Sequence, residues 1–161
     1  MAAIVLFETK PWRADEPNFD LNNSTVSYPF VYIDELVDLM NDERGVTVLD
    51  ARKSDDTFAT QAGLGKTIPG SVRAYWEDFL VGGVLKQPED IAADFRSRGV
   101  FNDRPVVVYG GWSAANYWGE EGRIWWQLRW LNHTEAYILY GGIWAWDDRT
   151  GTVRFVPLKM Q

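Results

Sequence analysis

The chain has 161 residues, 46% of them hydrophobic, and a formal net charge of −7, which together predict one folded domain with a sizeable core. The acidic excess disfavours nucleic acid and anionic membrane surfaces as partners. The sequence has no cysteine and one histidine, His133, which excludes disulfides, thiolate nucleophiles and metal centres built from thiolates or several histidines. We therefore expect neither a metal nor a cofactor.

Residues 1–31 are expected to form a strand and an arm packed on the domain. The first seven residues are apolar and lack a basic segment, and Glu8 follows them, a pattern that argues against a signal peptide and favours an edge strand. Val26 to Val31 is predicted to be extended. No apolar run approaches the roughly 20 residues that cross a bilayer, so we expect a cytoplasmic location.

Helices and strands alternate in the middle of the chain. A helix is predicted from Ile33, with a solvated acidic face and a stop near Gly45. Val46 to Arg52 is typical of a buried strand that ends in a charged pair. Residues 68–71 predict a turn, followed by a strand from Val72 to Tyr75.

The second half continues the same alternation. Gln87-Pro88 predicts the start of a helix that stops at Gly99. The remaining predicted elements are a buried strand at Val106–Tyr109, a long helix with an apolar stripe, a strand at Ala136–Leu139 and an edge strand within the tail of residues 149–161, at Thr152–Leu158. Such alternation predicts an α/β fold with a mostly parallel central sheet flanked by helices on both faces.

The predicted functional site is the loop between the strand at Val106–Tyr109 and the long helix. Open α/β sheets bind ligands where a strand ends beside a helix N-terminus. The loop consists of Gly110, Gly111, Trp112, Ser113, Ala114, Ala115, Asn116, Tyr117, Trp118 and Gly119. Asp50, Arg52 and Arg123 are expected to support it, the first two as a buried or loop-anchoring ion pair.

Other catalytic arrangements are disfavoured. Glu120 and Glu121 are adjacent on a predicted helix and point about 100° apart, so they indicate helix capping rather than paired acid/base catalysis. Ser113 has only His133 as a base, and His133 is expected at the far end of the helix in a packing and capping position. Asn132 is expected to supply the left-handed C-cap. No nucleotide-binding motif is complete.

The tryptophans have two interpretations. We expect Trp125 and Trp126 to pack the helix, one on the sheet and one on the neighbouring layer. Trp112 and Trp118 either plug a pocket in the loop or form an exposed aromatic anchor for a partner.

Five segments together resemble the rhodanese-like (sulfurtransferase) family, over about residues 32–148. They are Val48-Leu49-Asp50-Ala51-Arg52, Ile68-Pro69-Gly70-Ser71, Pro105 to Tyr109, Gly122 to His133, and Leu139 to Trp146. The resemblance implies the rhodanese-like three-layer fold. It also implies that a catalytic cysteine, which carries a persulfide, should follow Tyr109. Gly110 stands at that position, and Thr67 stands where many members have a histidine.

The leading hypothesis is a catalytically inactive rhodanese-like domain that acts as a binding or regulatory module. Its protein partner or small ligand is expected at the Gly110–Gly119 loop, where Glu120 and Glu121 outweigh Arg123 and repel an anionic sulfur donor. The alternatives are a sulfurtransferase whose cysteine was lost or engineered away, or a pseudo-enzyme that works beside an active rhodanese domain. A cysteine-dependent phosphatase, related by fold, needs the same missing thiolate. The sequence does not specify the oligomeric state.

Overall fold

The computed structural model describes residues 29–53, 67–111 and 119–149, with side chains as far as residue 146. The elements in chain order are β1 (Phe30–Val31), α1 (Ile33–Asn41), β2 (Thr47–Asp50), β3 (Val72–Arg73), a 3₁₀ helix (Trp76–Phe79), β4 (Leu80–Val81), β5 (Val84–Leu85), α2 (Pro88–Ser97), β6 (Val106–Tyr109), α3 (Glu120–Trp130), β7 (Ala136–Leu139) and α4 (Gly142–Arg149).

Five strands form one parallel sheet in the order β1-β7-β6-β2-β3. Its central strand, β6, is buried along its whole length and pairs with β2 so that Asp50 lies opposite Tyr109. Continuous burial explains why β6 is built from valines, since a central parallel strand is covered on both faces. The predicted α/β fold with a mostly parallel sheet is confirmed.

The sheet separates two hydrophobic cores. One face packs Phe95 of α2 and Ile124 and Leu128 of α3 against the sheet. The other face packs Leu36 of α1 and Ile143 of α4. Helices therefore cover both faces, as the prediction required.

Helix ends follow the sequence signals in α2 and α3 but not in α1. Gln87 precedes α2, Pro88 is its first residue, and Gly99 follows with a positive φ of 81°. Asn132 has a φ of 64° after α3, which confirms the predicted left-handed C-cap. The expected stop of α1 at Gly45 is wrong, because the helix ends at Asn41 and Gly45 lies in the turn that follows.

The segment after β3 differs from its prediction. The strand stops at Arg73 instead of Tyr75, and the 3₁₀ helix and the antiparallel β4–β5 hairpin follow. Gly82 and Gly83 connect β4 to β5 with φ values of 60° and 80°. A Gly-Gly pair between apolar residues is a known hairpin signal, because a two-residue hairpin turn favours positive φ. That signal was present in the sequence and was missed.

Trp125 and Trp126 have different environments. The Trp125 indole is partly buried on the core and its N–H donates to the carbonyl of Ala136 at 2.9 Å. Trp126 is 51% exposed and stacks on Trp130 with ring centroids 5.8 Å apart. Trp125 thus takes the predicted position on the sheet, whereas Trp126, expected to pack towards the neighbouring layer, lies half-exposed on the outer face of α3.

The predicted strands at residues 1–8 and Thr152–Leu158 lie outside the described residues, so the proposed arm and tail stay predictions. None of the described helices has the length and apolar content that a bilayer crossing requires.

Candidate functional site

The predicted site lies at one edge of the sheet. Because the five strands are parallel, the carboxyl ends of β2, β6 and β7 meet there. Asp50 ends β2, Gly110 follows β6, and Gly141 follows β7. The Ile143 N–H donates to the Gly110 carbonyl at 3.0 Å, which ties α4 to the end of β6.

Asp50 and Arg52 form the expected buried ion pair. Their side chains are almost fully buried, and Arg52 Nη2 lies 2.6 Å from Asp50 Oδ2. The Nε–H and the backbone N–H of Arg52 donate to Asp50 Oδ1 at 2.8 and 3.1 Å. This bidentate geometry keeps both charges paired within the protein and holds the chain as it leaves β2.

Tyr109 completes this network and was not identified from the sequence. Its hydroxyl donates to Asp50 Oδ2 at 2.8 Å, accepts the Ile68 N–H at 3.4 Å and lies 3.0 Å from Ser71 Oγ. Burial, followed by the charge of Asp50, raises the pKa of Tyr109 to about 12. The hydroxyl therefore stays protonated and joins the ends of β2 and β6 to the Ile68–Ser71 turn.

Gly110 is buried, and it is packed closely by neighbouring elements. A Cβ placed on Gly110 would overlap Oε2 of Glu121 and would lie 2.9 Å from its Cδ. A Cβ on Gly142, which has a φ of 55°, would lie 2.5 Å from the Gly110 carbonyl oxygen. The space beside Gly110 is thus occupied by a carboxyl group from the first turn of α3.

Glu120 and Glu121 begin α3, as predicted, and Gly119 precedes them in the left-handed conformation. Burial raises the pKa of Glu121, because desolvation disfavours its charged form. A hydrogen bond to the Glu121 backbone lowers the pKa, but burial has the larger effect. Placing the charged Glu121 carboxylate beside Gly110 therefore costs desolvation free energy, which the sequence did not predict.

Arg123 lies on a different side of α3 from Glu121. Its guanidinium carbon is 4.2 Å from the centroid of the Trp76 ring, in the 3₁₀ helix. Two residues along a helix are separated by about 200°, which accounts for the opposite directions. Arg123 therefore lies in the first turns of α3, as expected, but its side chain is beside the 3₁₀ helix and not beside Gly110.

His133 does not take part in this edge of the sheet. Its ring is buried, Nε2 lies 3.1 Å from the Phe101 carbonyl oxygen, and burial lowers the pKa of the imidazole. It follows the carboxyl end of α3, whose 11 residues span about 16 Å. The packing position predicted for His133 is confirmed. Ser113, like the rest of residues 112–118 including Trp112 and Trp118, lies outside the described residues.

Comparison with known proteins gives this arrangement a family. The rhodanese-like domain family matches residues 32–149. The chain belongs to the rhodanese-like domain family. It is 30% identical over 128 residues to "Putative thiosulfate sulfurtransferase SseB" of Mycobacterium tuberculosis, covering 74% of this chain and 44% of that protein. The chain thus spans less than half the length of the curated relatives it matches.

Solved structures agree with the rhodanese-like fold. SseA of Escherichia coli, a 3-mercaptopyruvate sulfotransferase, superposes with a TM-score of 0.61 at 25% identity, covering 83% of this chain and 53% of its own. The anaerobic ergothioneine biosynthesis enzyme of Chlorobium limicola, in complex with trimethyl histidine, gives a TM-score of 0.59 at 17% identity, covering 80% and 32%. The second likeness concerns the fold alone.

Within the rhodanese-like family, the position after β6 is where the resemblance places the persulfide cysteine. This domain has Gly110 there and no cysteine anywhere in its sequence. The absence of cysteine is consistent with a member that lacks the family's nucleophile. Asp50, Arg52 and the Ile68–Ser71 turn, in contrast, belong to the segments that resemble the family and are joined through Tyr109.

Proposed function

We propose that this rhodanese-like domain transfers no sulfur and serves as a binding or regulatory module through the surface of its Gly110–Gly119 loop. One observation carries the proposal: Gly110 stands at the cysteine position of a cysteine-free chain, with the Glu121 carboxyl in the space a side chain there would need. Persulfide chemistry requires a thiolate. We also propose a cytoplasmic location, which fractionation of source cells tests.

The charges near Gly110 support the same proposal. A sulfur donor such as thiosulfate is an anion, which needs free N–H groups and positive potential. The first turn of α3 carries Glu120 and Glu121, while Arg123 lies over Trp76 on another side of the helix. An anion at Gly110 would therefore meet a carboxyl group first.

Restoring the thiol tests the loss of catalysis. We expect Gly110→Cys, and Gly110→Cys combined with Glu121→Ala, to form no thiocyanate from thiosulfate and cyanide above the rate of the unmodified chain. The double variant removes the carboxyl that the new side chain would displace, so steric exclusion alone does not explain a negative result. Turnover by either variant would favour the alternative, a sulfurtransferase that lost its cysteine while keeping its site.

The loop as a binding surface needs a separate test. Trp112→Ser with Trp118→Ser removes both indoles from the loop, and Phe101→Ser is a matched control, because Phe101 is 47% exposed and lies before β6 at the opposite sheet edge. In quantitative pull-downs from the source, we expect specific partners to be lost with the loop variant and kept with the control. Equal recovery by both variants would contradict a binding role for this loop.

A pseudo-enzyme role beside an active rhodanese domain is a second candidate, supported by the sulfurtransferase names of the relatives. Addition of this chain to a catalytic rhodanese from the same source should then change its rate of thiocyanate formation. An unchanged rate over a wide concentration range would count against that candidate.

A further inference from the structure

A pocket lies between the first turns of α3 and the β4–β5 hairpin. Its volume is about 510 Å³, within the range of small-molecule sites. Its apolar walls are the side chains of Trp76, Leu80, Leu85 and Trp126. Trp126 remains 51% exposed, so an indole face is available at the pocket mouth. Gly119, the last residue of the loop, also lines the pocket.

Arg123 supplies the charge of this pocket. Its guanidinium lies 4.2 Å over the Trp76 ring, and within the described ranges no carboxylate forms an ion pair with it. A guanidinium held on an aromatic face keeps its in-plane N–H groups for a planar anion, and carboxylates match that geometry. Arg123 is therefore positioned for a carboxylate that comes from outside the described chain.

Gln127 gives an independent indication of a ligand. Its side chain lines the pocket and is 3% exposed, yet Oε1 has no hydrogen-bond partner among the described residues. A buried amide oxygen without a donor is costly, so a donor at this position stabilises the folded chain. Because the same side chain lines the pocket, a bound ligand can bring the donor that this oxygen lacks. The ligand should therefore carry an N–H group.

We propose that this pocket binds a small aromatic carboxylate that carries an N–H donor. The ring packs between Trp126 and the leucines, the carboxylate pairs with Arg123, and the N–H donates to Gln127 Oε1. This inference names a ligand class for the binding role proposed above and rests on that role.

The pocket is electrostatically distinct from Gly110. Glu121 points towards Gly110, whereas Arg123 points towards the 3₁₀ helix. An anion that is disfavoured beside Gly110 is therefore favoured in the pocket.

Three probes that share an aromatic ring separate the carboxylate contact from the N–H contact. N-benzoylglycine has a ring, an amide N–H and a carboxylate; its primary amide lacks the charge; 4-phenylbutyrate lacks the N–H. In calorimetric titrations of the full chain, we expect N-benzoylglycine to bind at least 10-fold more tightly than its amide and about 5-fold more tightly than 4-phenylbutyrate, the factors typical of a charged and a neutral hydrogen bond. Equal affinities for all three, or no saturable binding, would overturn the proposal.

Two variants locate the binding. Arg123→Gln should weaken N-benzoylglycine about 10-fold and leave its amide unchanged, since only the charged contact is lost. Gln127→Leu should weaken N-benzoylglycine but not 4-phenylbutyrate. Arg104→Gln is the control for net charge, because Arg104 is an arginine outside the pocket that pairs with Asp103. Circular dichroism of each variant verifies its fold. Unchanged N-benzoylglycine binding in Arg123→Gln would contradict the assignment.

The outcomes for the two proposals are distinguishable. Failure of the probes to bind, while thiocyanate formation also stays at blank, overturns the ligand class and leaves the non-catalytic role intact. Thiocyanate formation by the unmodified chain overturns the non-catalytic role whatever the probes do.

Discussion

Gly110 and Glu121 share one small space at the end of β6. A methyl group at Gly110 forces the Glu121 carboxyl to leave its position, because the two would overlap. We predict that Gly110→Ala lowers the free energy of unfolding by about 1–3 kcal/mol, the usual cost of overpacking. In a Glu121→Ala background the same change should cost less, with a coupling energy of about 1 kcal/mol. Urea unfolding of the four proteins measures this coupling, and strict additivity would contradict the shared space.

Glu121 should also make stability depend on pH. Because burial raises its folded-state pKa above 4.5, its contribution to stability is complete below that value and is lost as pH rises through the folded pKa. We predict that Glu121→Gln raises the urea midpoint at pH 7 and that the difference disappears below the unfolded-state pKa. Glu89→Gln is the control: Glu89 is the second residue of α2, as Glu121 is of α3, but it is exposed. We expect Glu89→Gln to lower the free energy of unfolding by about 0.3–1 kcal/mol, because it removes a negative charge from the N-terminus of α2.

Tyr109 gives a separate response at alkaline pH. Its pKa of about 12 exceeds the ordinary value of 10, so its stabilising effect is present below pH 10 and is lost as pH rises towards 12. We predict that Tyr109→Phe costs about 1–3 kcal/mol at pH 7, because Asp50 Oδ2 loses a donor. The variant should also lack the alkaline decline between pH 10 and 12 that urea unfolding measures in the unmodified chain. An identical decline in both proteins would rule out Tyr109 as its source.

At the scale of the elements, α3 carries two neighbouring tryptophans with different roles. Trp125 packs on the core and donates to the Ala136 carbonyl, whereas Trp126 is 51% exposed. We predict that Trp125→Ala lowers the free energy of unfolding by about 3 kcal/mol and Trp126→Ala by less than about 1 kcal/mol. Urea unfolding of both variants measures the two free energies of unfolding. Similar losses would contradict the outward position of Trp126.

The same helix shows what the sequence could and could not predict. The buried strands β2, β6 and β7 are runs of apolar residues, so they were predicted nearly to their ends. The side that Trp126 takes was not predictable from spacing, because it depends on the hairpin beside α3. The hairpin itself was predictable from Gly82-Gly83, whose turn favours positive φ.

The candidate site shows the same division. Asp50 and Arg52 were predicted to pair, since two charges that end a buried strand need each other. The role of Tyr109 was not predictable, because it depends on contacts with residues 38 to 59 positions away in the chain. The position of Glu121 beside Gly110 likewise follows from how α3 sits on β6. Sequence patterns identify elements and local pairs, while packing between elements decides which side chains meet.

At the scale of the whole molecule, a rhodanese-like fold is combined with the absence of the cysteine that the family uses. The chain matches the rhodanese-like family over residues 32–149 and contains no cysteine. Its net charge of −7 also repels anionic sulfur donors and lowers their concentration near its surface. Both features support the proposal that the domain transfers no sulfur.

Thiocyanate formation from thiosulfate and cyanide by the unmodified chain tests this account most directly. We expect the rate to equal that of a protein-free blank at every protein concentration. A saturable rate that rises in proportion to the amount of protein would contradict the central claim that this domain has no sulfur-carrying group.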